Sequence, residues 1–184
     1  MNELSLLAEQ VGASERTLRR AVNEGTLRGK RPSPRRLKLS AAEKEYILKQ
    51  WGLLAQLRAA LRTEPNVRFA LLFGSTARGD DNAESDVDLL VELRDSSLFW
   101  LTDLELKLER RLDREVQALT LDEAQENLLL FATALEEGRV ILDRDGRWPS
   151  LQATRSQTKR RAEQQLHQDT RQALEGIEKL LAQG

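Results

Sequence analysis

Residues 71–93, LLFGSTARGDDNAESDVDLLVEL, restrict the fold more than any other stretch of this 184-residue chain. An apolar run from Phe69 to Phe73 reads as a buried strand, and it breaks at Gly74-Ser75. A glycine there lets the backbone approach a ligand closely, and a hydroxyl beside it can meet a phosphate oxygen. Eleven residues after Ser75 come Asp86 and Asp88, inside a second apolar run. Side chains alternate along a strand, so both carboxylates leave one face while Val87 and Leu89 take the other. Paired acids repel unless a cation lies between them. Together with the unpaired amides at a helix start, which Ser75-Thr76-Ala77-Arg78 is expected to form, they make a Mg–nucleotide site.

Gly74-Ser75, Arg78, Gly79, Ser85 and the Asp86-Val87-Asp88 triplet resemble the signature of nucleotidyltransferases of the DNA polymerase β superfamily, and within it the minimal nucleotidyltransferase branch. The resemblance covers roughly Val67 to Leu142. It implies that Asp86 and Asp88 are metal ligands and catalytic, with Mg²⁺ or Mn²⁺ as cofactor. Gly74, Ser75 and Arg78 are implied to hold the NTP that serves as substrate or ligand. In that family a third strand brings a third acid, commonly within V-D-L. Aligned on Val116, this chain has Gln117 there. An amide cannot take a hydroxyl proton and is a poor ligand for a second Mg²⁺. Glu115, two residues earlier on the same strand face, is the carboxylate that would substitute, from about 7 Å along the strand.

The net charge of −1 hides a division. Residues 1–62 carry 13 Lys/Arg against 6 Asp/Glu, residues 63–147 carry 10 against 20, and residues 148–184 carry 6 against 4. A basic first third and an acidic middle point to modules with different partners. Cysteine is absent, which excludes disulfides and thiolate-held metals. No apolar stretch approaches a membrane span, and MNELSLLAEQ lacks the regions of a signal peptide. The expectation is a cytoplasmic protein with no membrane partner.

Glu3 to Val11 suits a short helix ended by Gly12, and Ser14 is a good N-cap for a second helix that stops at Gly25. Leu7, Ala8, Val11, Leu18 and Val22 would form their core. The segment TLRGKRPSPRRLKLS follows, with six Lys/Arg, two Pro and no acid. The pattern V-G-A-S-x-R-T-L-x-R-x-x-x-x-G-x-L, Val11 to Leu27, resembles the winged helix-turn-helix of MerR-type and excisionase-type DNA-binding proteins, with that segment as wing. The resemblance implies DNA contacts from Arg16, Arg19 and Arg20 on the second helix, and from Arg28, Lys30, Arg31, Arg35 and Arg36 beyond it. The same residues also suit a basic solvated helix pair with a purely structural role.

Ser40-Ala41-Ala42-Glu43 has the capping-box spacing, and it opens a helix to about Arg62 with Ile47, Trp51, Leu54, Leu57 and Leu61 on its buried face. Leu98 to Leu112 is expected as an amphipathic helix, Arg114 to Leu121 as a strand, Asp122 to Gly138 as one helix, and Arg139 to Leu142 as a last strand. Near the C-terminus, Leu166, Thr170, Ala173, Ile177 and Leu180 step by four and three residues. This seam suits packing on the body or a dimer contact. The sole histidine, His167, lies in this tail and is expected on the surface.

The fold expected is α/β (α+β): a small mixed-sheet nucleotidyltransferase fold with an N-terminal all-α winged helix-turn-helix and a C-terminal helix. Its divisions are a DNA-binding module at 1–39, a connecting helix at 40–63, the nucleotidyltransferase-like domain at 64–147, and the C-terminal helix at 148–184. Two functions stay open. One is transfer of a nucleoside monophosphate from a Mg-bound NTP to a hydroxyl, coupled to DNA binding and antitoxin-like, with a helical toxin-like protein as partner. The other is a DNA-binding regulator whose nucleotidyltransferase domain senses nucleotide without turnover. By helix-turn-helix logic the chain would also form a homodimer.

Overall fold

The computed structural model describes residues 3–33 and 36–181. The chain opens with α1 (Glu3–Gln10) and α2 (Glu15–Asn23), then a hairpin of β1 (Lys30–Ser33) and β2 (Arg36–Lys38). The long helix α3 (Ala41–Arg62) leads into β3 (Val67–Phe73), the short α4 (Gly74–Arg78) and β4 (Val87–Leu93). Then come α5 (Leu98–Leu112), β5 (Val116–Thr120), α6 (Leu121–Glu126), α7 (Leu128–Glu137), β6 (Arg139–Asp143) and α8 (Arg147–Leu181). This is the mixed α/β fold expected. A four-stranded sheet in the order β5-β4-β3-β6 carries β3 antiparallel to both neighbours and β4 parallel to β5.

The alternation of β3 builds two apolar cores. Ala70 and Leu72 join Val87, Leu89 and Val91 of β4 against α3 and α5, and Val67 reaches that side because the pairing register shifts between Val67 and Phe69. Phe69 and Leu71 face the opposite way, with Leu90, and pack on α6, α7 and the start of α8. Leu4, Leu7, Leu18, Ala21 and Leu27 belong to the first core, so the N-terminal helices and the sheet share one apolar cluster.

Three local expectations need correction. Ser40 does accept from the Glu43 N–H at 3.1 Å, but the Glu43 side chain does not return to Ser40. Instead it accepts from the Arg28 N–H at 2.8 Å and forms a buried two-pronged pair with Arg139, at 2.6 and 3.0 Å. A buried guanidinium needs its counter-charge more than an exposed helix start needs a second cap. The reciprocal box is at Thr120 and Glu123 instead. Second, the helix expected over Asp122 to Gly138 is broken at Asn127, whose carboxamide caps the Leu130 N–H at 3.2 Å and starts α7 afresh.

The third correction concerns α8. Beyond Leu151, Thr158 and Ala162 no described side chain of α8 is buried, and Leu166, Thr170, Ala173 and Ile177 are exposed. The side chain of Leu180 lies outside the described residues. Helix length explains this. The 10 residues of α7 span about 15 Å, whereas the 35 of α8 span about 52 Å, so α7 supports only the first part. Among the described residues the seam is exposed, with Leu166 the one member beside the body, at the cleft it shares with Leu128 and Leu129.

Candidate nucleotide site

Register decides what meets at the end of the sheet. Phe73 of β3 pairs with Asp88 of β4, so the turn at Gly74 stands directly beside that carboxylate. Gly74 has φ +72°, and a Cβ placed on it would land on Asp88 Oδ2 and within 3.1 Å of Cγ. Only glycine serves here, for conformational and steric reasons at once. Asp86 and Asp88 lie on the face opposite Val87, Leu89 and Val91. In parallel register Gln117 of β5 sits next to Asp88, and its Nε2–H donates to Asp86 Oδ2 at 2.7 Å.

The two acids are not equivalent. Among the described residues the Asp88 carboxylate accepts no hydrogen bond, whereas Asp86 has the Gln117 donor. Burial pushes the Asp88 carboxyl above its ordinary value, the Asp86 charge pushes it further, and Arg78 opposes both. Asp88 is thus a half-buried carboxylate with a like charge beside it and no protein donor among the described residues. Among the described residues no group of three or more His, Cys, Asp or Glu could hold a metal ion, so the protein offers two carboxylates here and no third.

The other expected site residues fall as follows. Ser75 is half-buried in the first turn of α4, and its hydroxyl has no protein partner among the described residues. Arg78 bonds Asp80 and donates to Glu137 Oε2 at 2.8 Å, tying α4 to α7. Glu115 is exposed one residue ahead of β5. Its carbonyl takes the Val87 N–H at 2.9 Å, but its carboxylate makes no hydrogen bond or ion pair among the described residues.

Several positioning residues carry no signal in the sequence. Arg114 donates to the Ser85 carbonyl and, at 3.0 Å, to Asp81 Oδ2, clamping the loop that delivers Asp86. Gln50 and Lys49 of α3 hold the buried Asp81 from the other side. Beneath α4, Arg139 donates to the Ala77 carbonyl at 2.7 Å and stacks over the Tyr46 ring at 3.4 Å, while the Tyr46 hydroxyl donates to the Thr76 carbonyl. Arg139 also donates to the carbonyl of Thr26, a residue of the N-terminal segment.

The expected DNA contacts divide. Arg16 and Arg20 are exposed on α2, and Arg19 pairs with Glu15 at 3.2 Å. Lys30, Arg31 and Arg36 are exposed on the hairpin, with Arg31 joined to Asn23 of α2 at 2.6 Å. Arg28 turns away from them and donates to the Glu137 carbonyl. Arg35 lies outside the described residues.

A sheet of this order, with a Gly-Ser turn facing paired aspartates, defines a nucleotidyl-transfer fold. The chain belongs to the polymerase β nucleotidyltransferase family, whose pattern matches residues 55–147. No curated protein matches it in sequence. A crystal structure of a toxin–antitoxin with AMP-PNP is similar at TM-score 0.51 and 23% identity, over 70% of this chain and 98% of that one. The MntA–HepT toxin–antitoxin is similar at TM-score 0.48 and 22% identity, over 72% and 99%. The MNT antitoxin complex with the tri-AMPylated Shewanella oneidensis HEPN toxin is similar at TM-score 0.44 and 21% identity, over 74% and 98%. At these identities the likeness is one of fold.

Proposed function

We propose that the chain holds a Mg²⁺- or Mn²⁺-bound nucleoside triphosphate at Gly74, Ser75, Asp86 and Asp88 and transfers its nucleoside monophosphate to a hydroxyl acceptor. The observation that carries this reading is the Asp88 carboxylate, set against Gly74 beside Asp86 and given no protein donor. When bound, the divalent cation would be held by Asp86 and Asp88 and would supply charge neutralisation to the departing pyrophosphate. The Ser75 hydroxyl and the amides of the first turn of α4 would bind the β- and γ-phosphates. Arg78, through Glu137, would keep that turn in place. In-line attack of the acceptor oxygen on the α-phosphorus forms one P–O bond as the bond to pyrophosphate breaks. Glu115 is the carboxylate left to take the acceptor proton.

The triphosphate in view is ATP, since the toxin–antitoxin with AMP-PNP shares this fold. The same likeness supports an antitoxin-like role, with a toxin-like helical protein bearing the acceptor hydroxyl. Two helices and a basic hairpin at the N-terminus support a winged helix-turn-helix, and with it DNA binding by a homodimer. The domain divisions follow: DNA-binding module 1–39, connecting helix 40–63, nucleotidyltransferase domain 64–147 and C-terminal helix 148–184. No helix among the described residues is long and apolar enough to cross a membrane.

One contact favours a second reading, a DNA-binding regulator that senses nucleotide without turnover. Gln117 occupies the third-acid position and spends its amide on Asp86. The test is labelled ATP with Mg²⁺ and the candidate partner. Transfer that Asp86→Asn with Asp88→Asn abolishes supports the first reading. Nucleotide binding lost in the same double variant, with no transfer by the parent, supports the second. Transfer unchanged in the double variant overturns the site.

A further inference from the structure

Between α2 and α3 runs a groove lined by Arg16, Thr17 and Arg20 on one wall and by Arg58 and Arg62 on the other. Trp51, Ala55 and Ala59 form its floor, and the two short side chains keep it open. Glu24 is the acid at this edge, and it is already held between Arg20, at 2.6 Å, and Arg58. Four guanidiniums against one carboxylate leave three net positive charges. Arg16 and Arg62 meet no carboxylate among the described residues. Trp51 is only 9% exposed, yet its indole N–H has no acceptor among the described residues and is not sealed from solvent.

We propose that this groove is a phosphate-binding surface that seats the backbone of duplex DNA beside α2. The inference rests on the DNA-binding reading above and adds Trp51, Arg58 and Arg62, on α3, to it. Unpaired guanidiniums and an unpaired indole donor in one concavity suit an acceptor with several charged oxygens. Each wall presents two arginines one helical turn, about 5.4 Å, apart, which suits successive phosphates of a strand better than a single ion. An indole N–H adds a neutral donor to phosphate, carrying no sequence information.

The test uses the full chain and fluorescent DNA duplexes of two unrelated sequences, titrated at several salt concentrations. Arg16→Ala and Arg62→Ala each lower the slope of log affinity against log salt by about one and weaken both duplexes alike, roughly threefold to tenfold. Trp51→Phe keeps the floor packed and weakens both about threefold with the slope unchanged. Thermal unfolding of each variant shows that the fold is retained. Parental slopes in Arg16→Ala and Arg62→Ala, with DNA still bound, overturn the groove and leave the DNA-binding reading standing. No binding by the parent at low salt overturns both. Retention of duplex RNA in place of DNA also overturns the proposal.

Discussion

At Gln117 the amide nitrogen donates to Asp86 Oδ2 at 2.7 Å, in the strand position where a third carboxylate would complete the acid set. Restoring a carboxylate tests whether that amide limits turnover. Gln117→Asp is expected to raise Mg²⁺-dependent transfer by about 10²-fold, the low end of general-base help; an unchanged rate in a labelled-nucleotide assay rejects the assignment. Asp88 yields a second prediction with a defined sign. Its folded-state value lies above the ordinary 3.8 because of burial first and Asp86 second, so ionising it destabilises the fold. Its contribution is full below pH 3.8 and is lost as pH rises through the raised value. In metal-free protein, Asp88→Asn should therefore raise Tm at neutral pH by about 1–2 °C, a small effect because the group is half-exposed, and should not raise it in acid. Added Mg²⁺ should raise Tm of the parent and not of the variant. Calorimetry at both pH values checks the sign, and a variant that melts earlier at neutral pH contradicts it. Much at this scale was legible in the sequence. Gly74, Asp86 and Asp88 are linked by a turn and by strand alternation, which are local rules. That Gln117 would bond Asp86 rather than stand idle was not, because strand pairing brings residues 31 apart into contact.

Among the elements, α3 does more than connect. Its Glu43 and Tyr46 hold Arg139 of β6 beneath the last turn of α4, and its Lys49 and Gln50 hold the loop after α4. Arg139 is 2% exposed and Glu43 is 4%, so removing one partner strands a buried charge. Arg139→Met should destabilise by about 3–5 kcal/mol, and Arg139→Met with Glu43→Leu by much less; denaturant unfolding of both singles and the double completes the cycle. Additive losses would show that the pair is not coupled. The outer part of α8 makes the opposite case. Leu166 and Ile177 are 52% and 54% exposed, so Leu166→Asp with Ile177→Asp should change the unfolding free energy by no more than ordinary surface changes do, about 0.5 kcal/mol each. A large drop in the monomer would mean that the seam packs on the body after all. The periodic seam was legible, but whether it met a surface depended on how far α7 reaches.

For the whole molecule, the charge division and the packing point in different directions. A basic N-terminal third and an acidic middle look like separable modules, yet Leu4, Leu7, Leu18 and Leu27 are buried in the same cluster as α3 and the sheet face. Removing residues 1–39 should therefore expose apolar surface on α3 and lower the stability of the remainder. Dye binding to exposed apolar surface and a reduced unfolding midpoint would show it, and an undiminished midpoint would mark the N-terminal segment as an independent unit. The sequence by itself determined what depends on neighbours along the chain: the helix and strand periods, the Gly74-Ser75 break, the shared face of Asp86 and Asp88, and the basic charge of the segment after α2; that this segment pairs as a β-hairpin in a module expected to be all-α came from the structure. Only the tertiary structure decided the pairing of Glu43 with Arg139, the clamp of Arg114 on Asp81, the donor on Asp86 and the bareness of α8. Those contacts join residues far apart in the chain, and a Ser-x-x-Glu or a leucine seam reads the same locally whichever partner folding brings to it.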